Sequence, residues 1–257
     1  MWVNGSFVDA PASTPSVTAV DEGVLVGRGV FETIGIRHGV AFARRRHVAR
    51  LHASARIIGI TIDAKLVDSG IDAVLSRWGP RAGRLRVTAT GGGAVVVSAE
   101  AMPSVDTTAT VVVAPWPRNE RSPLVAAKTT AYLDNLLAFD FAHARGATDA
   151  LFLNTRGEVC EGSRTNIFAV CDGQLVTPPL SAGCLAGVTR ALVLEYGGAV
   201  ETTIDLATLT KSSEAFLTSA LRGAQPLTAI DGTAVGTAAR PHTSRVAQLL
   251  AELSADA

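Results

Sequence analysis

Residues 156–168 read RGEVCEGSRTNIF and residues 126–137 read AAKTTAYLDNLL. In the first stretch one carboxylate, Glu161, stands in a glycine- and serine-rich turn that runs into an apolar strand. In the second, Lys128 lies between alanines and threonines in a chain whose 23 basic residues include three lysines, Lys65, Lys128 and Lys211, the remainder being arginine. A chain that draws its surface charge from arginine has little reason to place a lysine there for charge alone. A desolvated amine at such a position can form an imine; a plain surface charge is the other reading, and spacing leaves both open. Glu161 either accepts backbone N–H groups in a tight turn or faces inward to hold a protonated ring nitrogen.

Working outward, the second half reads as a helix over about 130–145, then DALFLN, a TRGE turn, TNIFAV, a Cys-Asp-Gly turn and QLVTP, the pattern of an antiparallel meander. A helix over about 188–196 follows the loop GCLAGVTR at 183–190, whose free amides and Thr189 hydroxyl could cradle a phosphate or simply open the helix. EAFLTS, PLTAID and a helix over about 241–252 complete the chain.

The first half reads as hairpins around helices. Trp2-Val3 and Phe7-Val8 flank an Asn-Gly turn, and FETIGIR and VAFA flank His38-Gly39. Val48, Leu51, Ala55 and Ile58 recur at three and four, giving one apolar helical face with Arg50 off it. A second helix is predicted over 64–78, then RLRVTAT, a Gly91–Gly93 turn, AVVVS and ATVVVA. PWPRNERSPL at 115–124 breaks the pattern and reads as an interdomain linker between domains at 1–114 and 125–257. Alternation of two-residue and 3.6-residue periods gives an α+β class with mostly antiparallel sheets.

Composition limits the function classes. With 47% hydrophobic and 18% charged residues the 257-residue chain can build a large core. A formal net charge of zero supplies no global field for nucleic acid or an anionic membrane, so neither is expected as a partner. Three cysteines without a close pair, Cys160, Cys171 and Cys184, support neither a disulfide framework nor a zinc site. No secretory signature and no membrane-spanning run is visible, and a cytoplasmic location is expected. His47 and His52 are five apart, off metal-ligand spacing, and each reads as a polar edge of its helix; the Gly91–Gly93 run lacks the Lys-Ser/Thr of a P-loop.

Taken together, GRGVFETIGIRHG, RHVARLHASARIIG, AAKTTAYLDNLLA, EGSRTNIFAV, GVTR and TSALRGAQPLTAIDG resemble, in joint order, the fold type IV pyridoxal-phosphate enzymes, or class IV aminotransferases. The resemblance covers nearly the whole chain. It implies a two-domain, D-amino-acid-aminotransferase-like fold with pyridoxal 5'-phosphate in the interdomain cleft, and a homodimer. It makes Lys128 the Schiff-base lysine and proton carrier, Glu161 the partner of the pyridine nitrogen and Arg50 a phosphate ligand. Val188, Thr189, Ser219 and Ala220 become further phosphate contacts. Arg28 departs from the acidic residue often found before the glycine of GVFE, and could alter dimer contacts.

Within that family the expectation leans to 4-amino-4-deoxychorismate lyase, which forms 4-aminobenzoate and pyruvate in folate synthesis. Tyr132 follows Lys128 by four residues, Thr33 occupies the position of the lyase's early-strand threonine, and RVTATGGGAVVV lacks an arginine-x-histidine carboxylate trap. Arg118 and Arg121 are possible sources of charge for substrate carboxylates. The alternative is a transaminase acting on D-amino or branched-chain amino acids.

Overall fold

The computed structural model describes residues 1–8 and 17–255, and these form two compact units. The first comprises Met1–Ser104 together with Ala127–Ala131; the second comprises Val105–Ala126 and the chain from Tyr132 onward.

In the first unit, strands β1 (Trp2–Val3) and β2 (Ser6–Phe7) form the expected hairpin, with Asn4 and Gly5 at φ 46° and 102° in its turn. A short helix α1 (Glu22–Leu25) precedes the long strand β3 (Gly29–Arg37), which turns at His38-Gly39 into β4 (Val40–Ala41). Helices α2 (Arg44–Ile57) and α3 (Ala64–Trp78) are followed by β5 (Gly83–Thr90) and β6 (Val95–Glu100). Asp63 caps α3 by accepting from the amides of Lys65 and Leu66. The six strands lie in the order β2-β1-β6-β5-β3-β4, with each neighbouring pair antiparallel.

Side chains alternate across this sheet. Val30, Ile34, Ile36, Leu85 and Val87 point into one core with Leu51 and Ala55 of α2 and Val67 and Ile71 of α3. Each such fully buried aliphatic side chain contributes about 1.5–3 kcal/mol. Gly70 of α3 is needed for this packing, because a Cβ there would stand 2.6 Å from the Trp2 ring. The opposite register positions, Phe31, Thr33, Arg86 and Thr88, share the other face.

The second unit is built on a nine-stranded mixed sheet. Its elements are β7 (Ala109–Val113), α4 (Leu133–His143), β8 (Asp149–Leu153), β9 (Val159–Gly162), β10 (Asn166–Cys171) and β11 (Gln174–Thr177). They continue with α5 (Val188–Tyr196), β12 (Val200–Glu201), α6 (Leu206–Thr210), β13 (Glu214–Ser219), β14 (Gly223–Ile230), β15 (Thr233–Ala234) and α7 (Pro241–Ala255). Strand order is β12-β11-β10-β13-β14-β7-β8-β9, with β15 paired to β14. The antiparallel expectation holds through the first sheet and for β8-β9 and β10-β11. It fails where β7 runs parallel to both β14 and β8, and where β11 runs parallel to β12.

Three boundaries differ from the sequence reading. The 115–124 segment is not the junction, because β7 already belongs to the second unit through its pairing with β8 and β14. The helix expected from about 130 begins at Leu133, because residues 127–131 are drawn into extended pairing beside β3. There Phe31 N–H donates to the Lys128 carbonyl at 3.0 Å and Thr130 N–H to the Gly29 carbonyl at 2.8 Å. Finally, Glu161 sits not in the turn but on the fully buried strand β9.

Candidate active site

In the first unit, the Lys128 side chain lies on the face of β3 opposite the helices. Backbone pairing with β3 fixes its position, and Lys128 N–H also donates to the buried Ser54 hydroxyl of α2 at 3.0 Å. Its Nζ stands 4.4 Å from the centroid of the Phe31 ring, and the Arg86 guanidinium covers the same ring at 4.0 Å. Thr33 is the register partner of Arg86, so its hydroxyl belongs to this surface. Arg37, four residues along the same strand face, has a buried Nε without a hydrogen-bond partner. The sequence reading missed Arg86; the period-two alternation of charge in RLRVTAT was the available signal.

Arg50 reaches the other side of β3. Its Nε and Nη2 donate to Glu32 Oε1 and Oε2, each at 2.7 Å, and His47 Nδ1 lies 2.7 Å from Oε2. This two-point clamp fixes the plane of the guanidinium and hence the direction of its outer edge. Burial alone would raise the Glu32 pKa, but the Arg50 charge and the bonds from Arg50 and His47 outweigh it and hold the value at about 2. Burial lowers the His47 pKa against the raising effect of Glu32. Since the ionised carboxylate only accepts, neutral His47 donates from Nδ1. His47 is therefore no polar helix edge, as its spacing suggested; it is 2% exposed.

A pH dependence of stability follows. Both folded-state values lie below the unfolded ones, so the stabilisation is complete above the unfolded histidine value and declines as pH falls. His47 contributes below 6.5 and Glu32 from 4.5 down toward about 2. The carboxylate part alone amounts to ~3 kcal/mol. Urea unfolding should therefore show stability falling on acidification, and His47→Asn should remove the upper part of that fall. A profile in the variant that matches the wild type throughout would contradict the assignment.

The second unit holds a separate constellation around Glu161, which is 8% exposed. Its Oε2 accepts from Leu185 N–H at 2.9 Å and lies 3.5 Å from Asn166 Nδ2, while Arg118 Nη2 stands 3.5 Å from Oε1. Arg118 also donates to Asn135 Oδ1 at 3.3 Å and stacks on Phe152 at 4.2 Å. Its guanidinium is thus committed to the carboxylate expected to face a ring, whereas Arg121 is exposed. Tyr132 OH donates to the Ser163 carbonyl at 3.2 Å, and Asn135 Nδ2 to the same oxygen at 2.6 Å. Burial, then the Glu161 charge, pushes the Tyr132 pKa up, so the phenol stays protonated and able to donate.

The α5 N-terminus presents its first-turn amides without a side-chain cap. Val188 and Thr189 form its first turn at 6% exposure each. Gly187 is required there, because a Cβ would fall 1.9 Å from Asn166 Oδ1. Asn166 Nδ2 in turn donates to the Leu185 carbonyl at 2.9 Å, tying this loop to the start of β10. Opposite Asn166 in register is Thr218, whose buried hydroxyl has no partner. Ser219 and Ala220 follow at the β13–β14 turn. An uncapped helix start, an orphaned hydroxyl and an inward carboxylate fit a phosphorylated heterocycle with a basic ring nitrogen. Among the described residues no cluster of three or more metal-ligating side chains occurs.

Comparison with known proteins gives the same direction. The family described as amino-transferase class IV matches residues 29–230. A protein of Methanocaldococcus jannaschii provisionally named branched-chain-amino-acid aminotransferase is 31% identical, covering 91% of this chain and 89% of its own. The crystal structure of branched-chain aminotransferase from Thermoproteus uzoniensis with norvaline is 29% identical, covers 98% of this chain and 93% of its own, and superposes with a TM-score of 0.89. A Legionella pneumophila structure provisionally named 4-amino-4-deoxychorismate lyase is 24% identical over 96% of this chain and 98% of its own, with a TM-score of 0.87, and shares the fold.

Proposed function

This chain belongs to the class IV aminotransferases, pyridoxal-phosphate-dependent enzymes, and from that we propose that it moves the amino group of an anionic amine substrate to a 2-oxo acid, with Lys128 as the proton carrier. The observation that carries the reading is the pair of cations on the Phe31 ring: the Lys128 amine on one contact and the Arg86 guanidinium on another. A proton-carrying amine beside a fixed guanidinium suits a substrate whose carboxylate is held while the adjacent carbon loses a proton.

Bound pyridoxal phosphate supplies an electron sink for that carbon. Lys128 would hold the cofactor and move the proton, Glu161 would face the ring nitrogen, and Arg50 with Val188, Thr189, Ser219 and Ala220 would hold the phosphate. Glu32 and His47 keep Arg50 aimed. Arg118 faces Glu161 and orients it. A homodimer and a cytoplasmic location belong to this reading, and no described helix is long and apolar enough to cross a membrane.

Elimination is the second reading, favoured by one observation. Thr33 places a hydroxyl on the same strand face as Phe31, opposite Arg86, where it could give a proton to a departing enolpyruvyl oxygen. The names of the relatives with more than 25% identity support transamination instead. The test is to mix the purified protein with L-leucine, D-alanine or 4-amino-4-deoxychorismate, with and without a 2-oxo acid. Amino-acid turnover that needs the oxo acid is the expected result. Release of pyruvate and 4-aminobenzoate without an acceptor would replace it by the lyase; no turnover of any amine would overturn both.

A further inference from the structure

Arg222 and Asp149 take no part in the chemistry above, yet they form a buried ion pair at 3.1 Å, with side chains 14% and 0% exposed. Asp149 opens β8. Its Oδ1 accepts from Ser163 N–H at 3.2 Å and from the Ser163 hydroxyl, and its Oδ2 from the Thr165 hydroxyl at 3.3 Å. One carboxylate therefore pins the turn that directly follows Glu161. That turn's Ser163 carbonyl is the acceptor for Tyr132 and Asn135. Arg222 belongs to the other turn, between β13 and β14. Its N–H donates to the Ser219 hydroxyl at 3.2 Å and its Nη1 to Gln225 at 3.1 Å.

Buried ion pairs add little net stability, because desolvation offsets the attraction. What a paired carboxylate and guanidinium add is a fixed geometry between the segments that carry them. Here those segments are the turn after Glu161 and the turn of Ser219 and Ala220. We propose that Arg222 is a positioning residue: its pair with Asp149 locks these two turns together, so that the ring and phosphate ends of pyridoxal phosphate meet contacts at one set spacing. The inference rests on the functional reading given above. A loosened spacing lets either end of the cofactor detach alone, which shows as faster cofactor loss.

The experiment measures release of pyridoxal phosphate from the holoenzyme after dilution into cofactor-free buffer, by decay of the bound cofactor's visible absorbance. Arg222→Met should release it about tenfold faster, the scale of losing a supporting partner of a ligating group, and Arg222→Lys should fall between that and wild type. Asp149→Asn keeps an acceptor for Ser163 but unpairs Arg222, and should also speed release. The double variant Arg222→Met/Asp149→Asn should release no faster than the faster single variant, since both remove one contact. A purely structural pair would lower the urea midpoint of the apoprotein and leave release from folded holoenzyme unchanged. Unchanged release, or effects that multiply in the double variant, would overturn the proposal; should Arg222→Met not fold, Arg222→Lys and Asp149→Asn decide it. A wild-type protein that takes up no pyridoxal phosphate would sink the functional reading and this inference together, whereas normal uptake with unchanged release in the variants sinks this inference alone.

Discussion

Lys128→Ala is expected to abolish covalent capture of pyridoxal phosphate and to lower turnover by about 10⁴-fold or more, because in the proposed function one amine would serve as both nucleophile and proton carrier. The fold leaves no substitute: the other lysines of the chain are Lys65, in the first turn of α3, and Lys211, at the C-cap of α6. The Lys128 backbone is held by Phe31 N–H and the Ser54 hydroxyl, and alanine keeps both bonds. The alanine variant should therefore fold normally and still bind the cofactor non-covalently. Borohydride reduction followed by intact-mass measurement checks this directly. Wild type should gain the mass of the reduced cofactor and the variant should not; equal labelling of the two would remove Lys128 from its role.

Glu161→Gln is expected to slow proton removal from the substrate carbon by about 10²-fold while leaving substrate binding within a few-fold. The carboxylate is placed on a buried strand, held by Leu185 N–H and faced by Arg118. Glutamine preserves the shape and can still accept from Leu185. It lacks the carboxylate that, in the proposed function, would keep a ring nitrogen protonated and the ring electron-poor. Rapid mixing of the variant with substrate, with hydrogen and deuterium at the reacting carbon, separates this step from product release. A wild-type rate for that step would show that Glu161 serves the loop at Leu185 and not a ring.

Both residues were visible in the sequence as unusual types in unusual settings, and neither could be assigned from spacing alone. The sequence places Lys128 just before a helix expected from about 130; the structure gives it an extended segment beside β3, about a hundred residues away in the chain. Glu161 was read in a turn, since the short strand VCEG has no periodicity of its own. The sequence offers Arg118, in the 115–124 segment, as a charge for substrate carboxylates. Its pairing with Glu161 depends on contacts far apart in sequence. The clamp of Glu32 on Arg50 was not anticipated, because Glu32 sits among the apolar residues of β3 and its partners come from α2.

By itself the sequence determined the periods: alternation for the hairpins, three-and-four spacing for α2, and the turn residues between elements. Those features are local, set by which side chains fit a pleated or helical face, so they survive without knowledge of the rest of the chain. Only the tertiary structure decided that β7 runs parallel between β8 and β14, that residues 127–131 belong with β3, and that Glu32 meets Arg50 and His47. Such pairings join residues distant in sequence. They are selected by how well the whole set of apolar faces can be buried with every interior charge and backbone group partnered, a condition that no local stretch encodes.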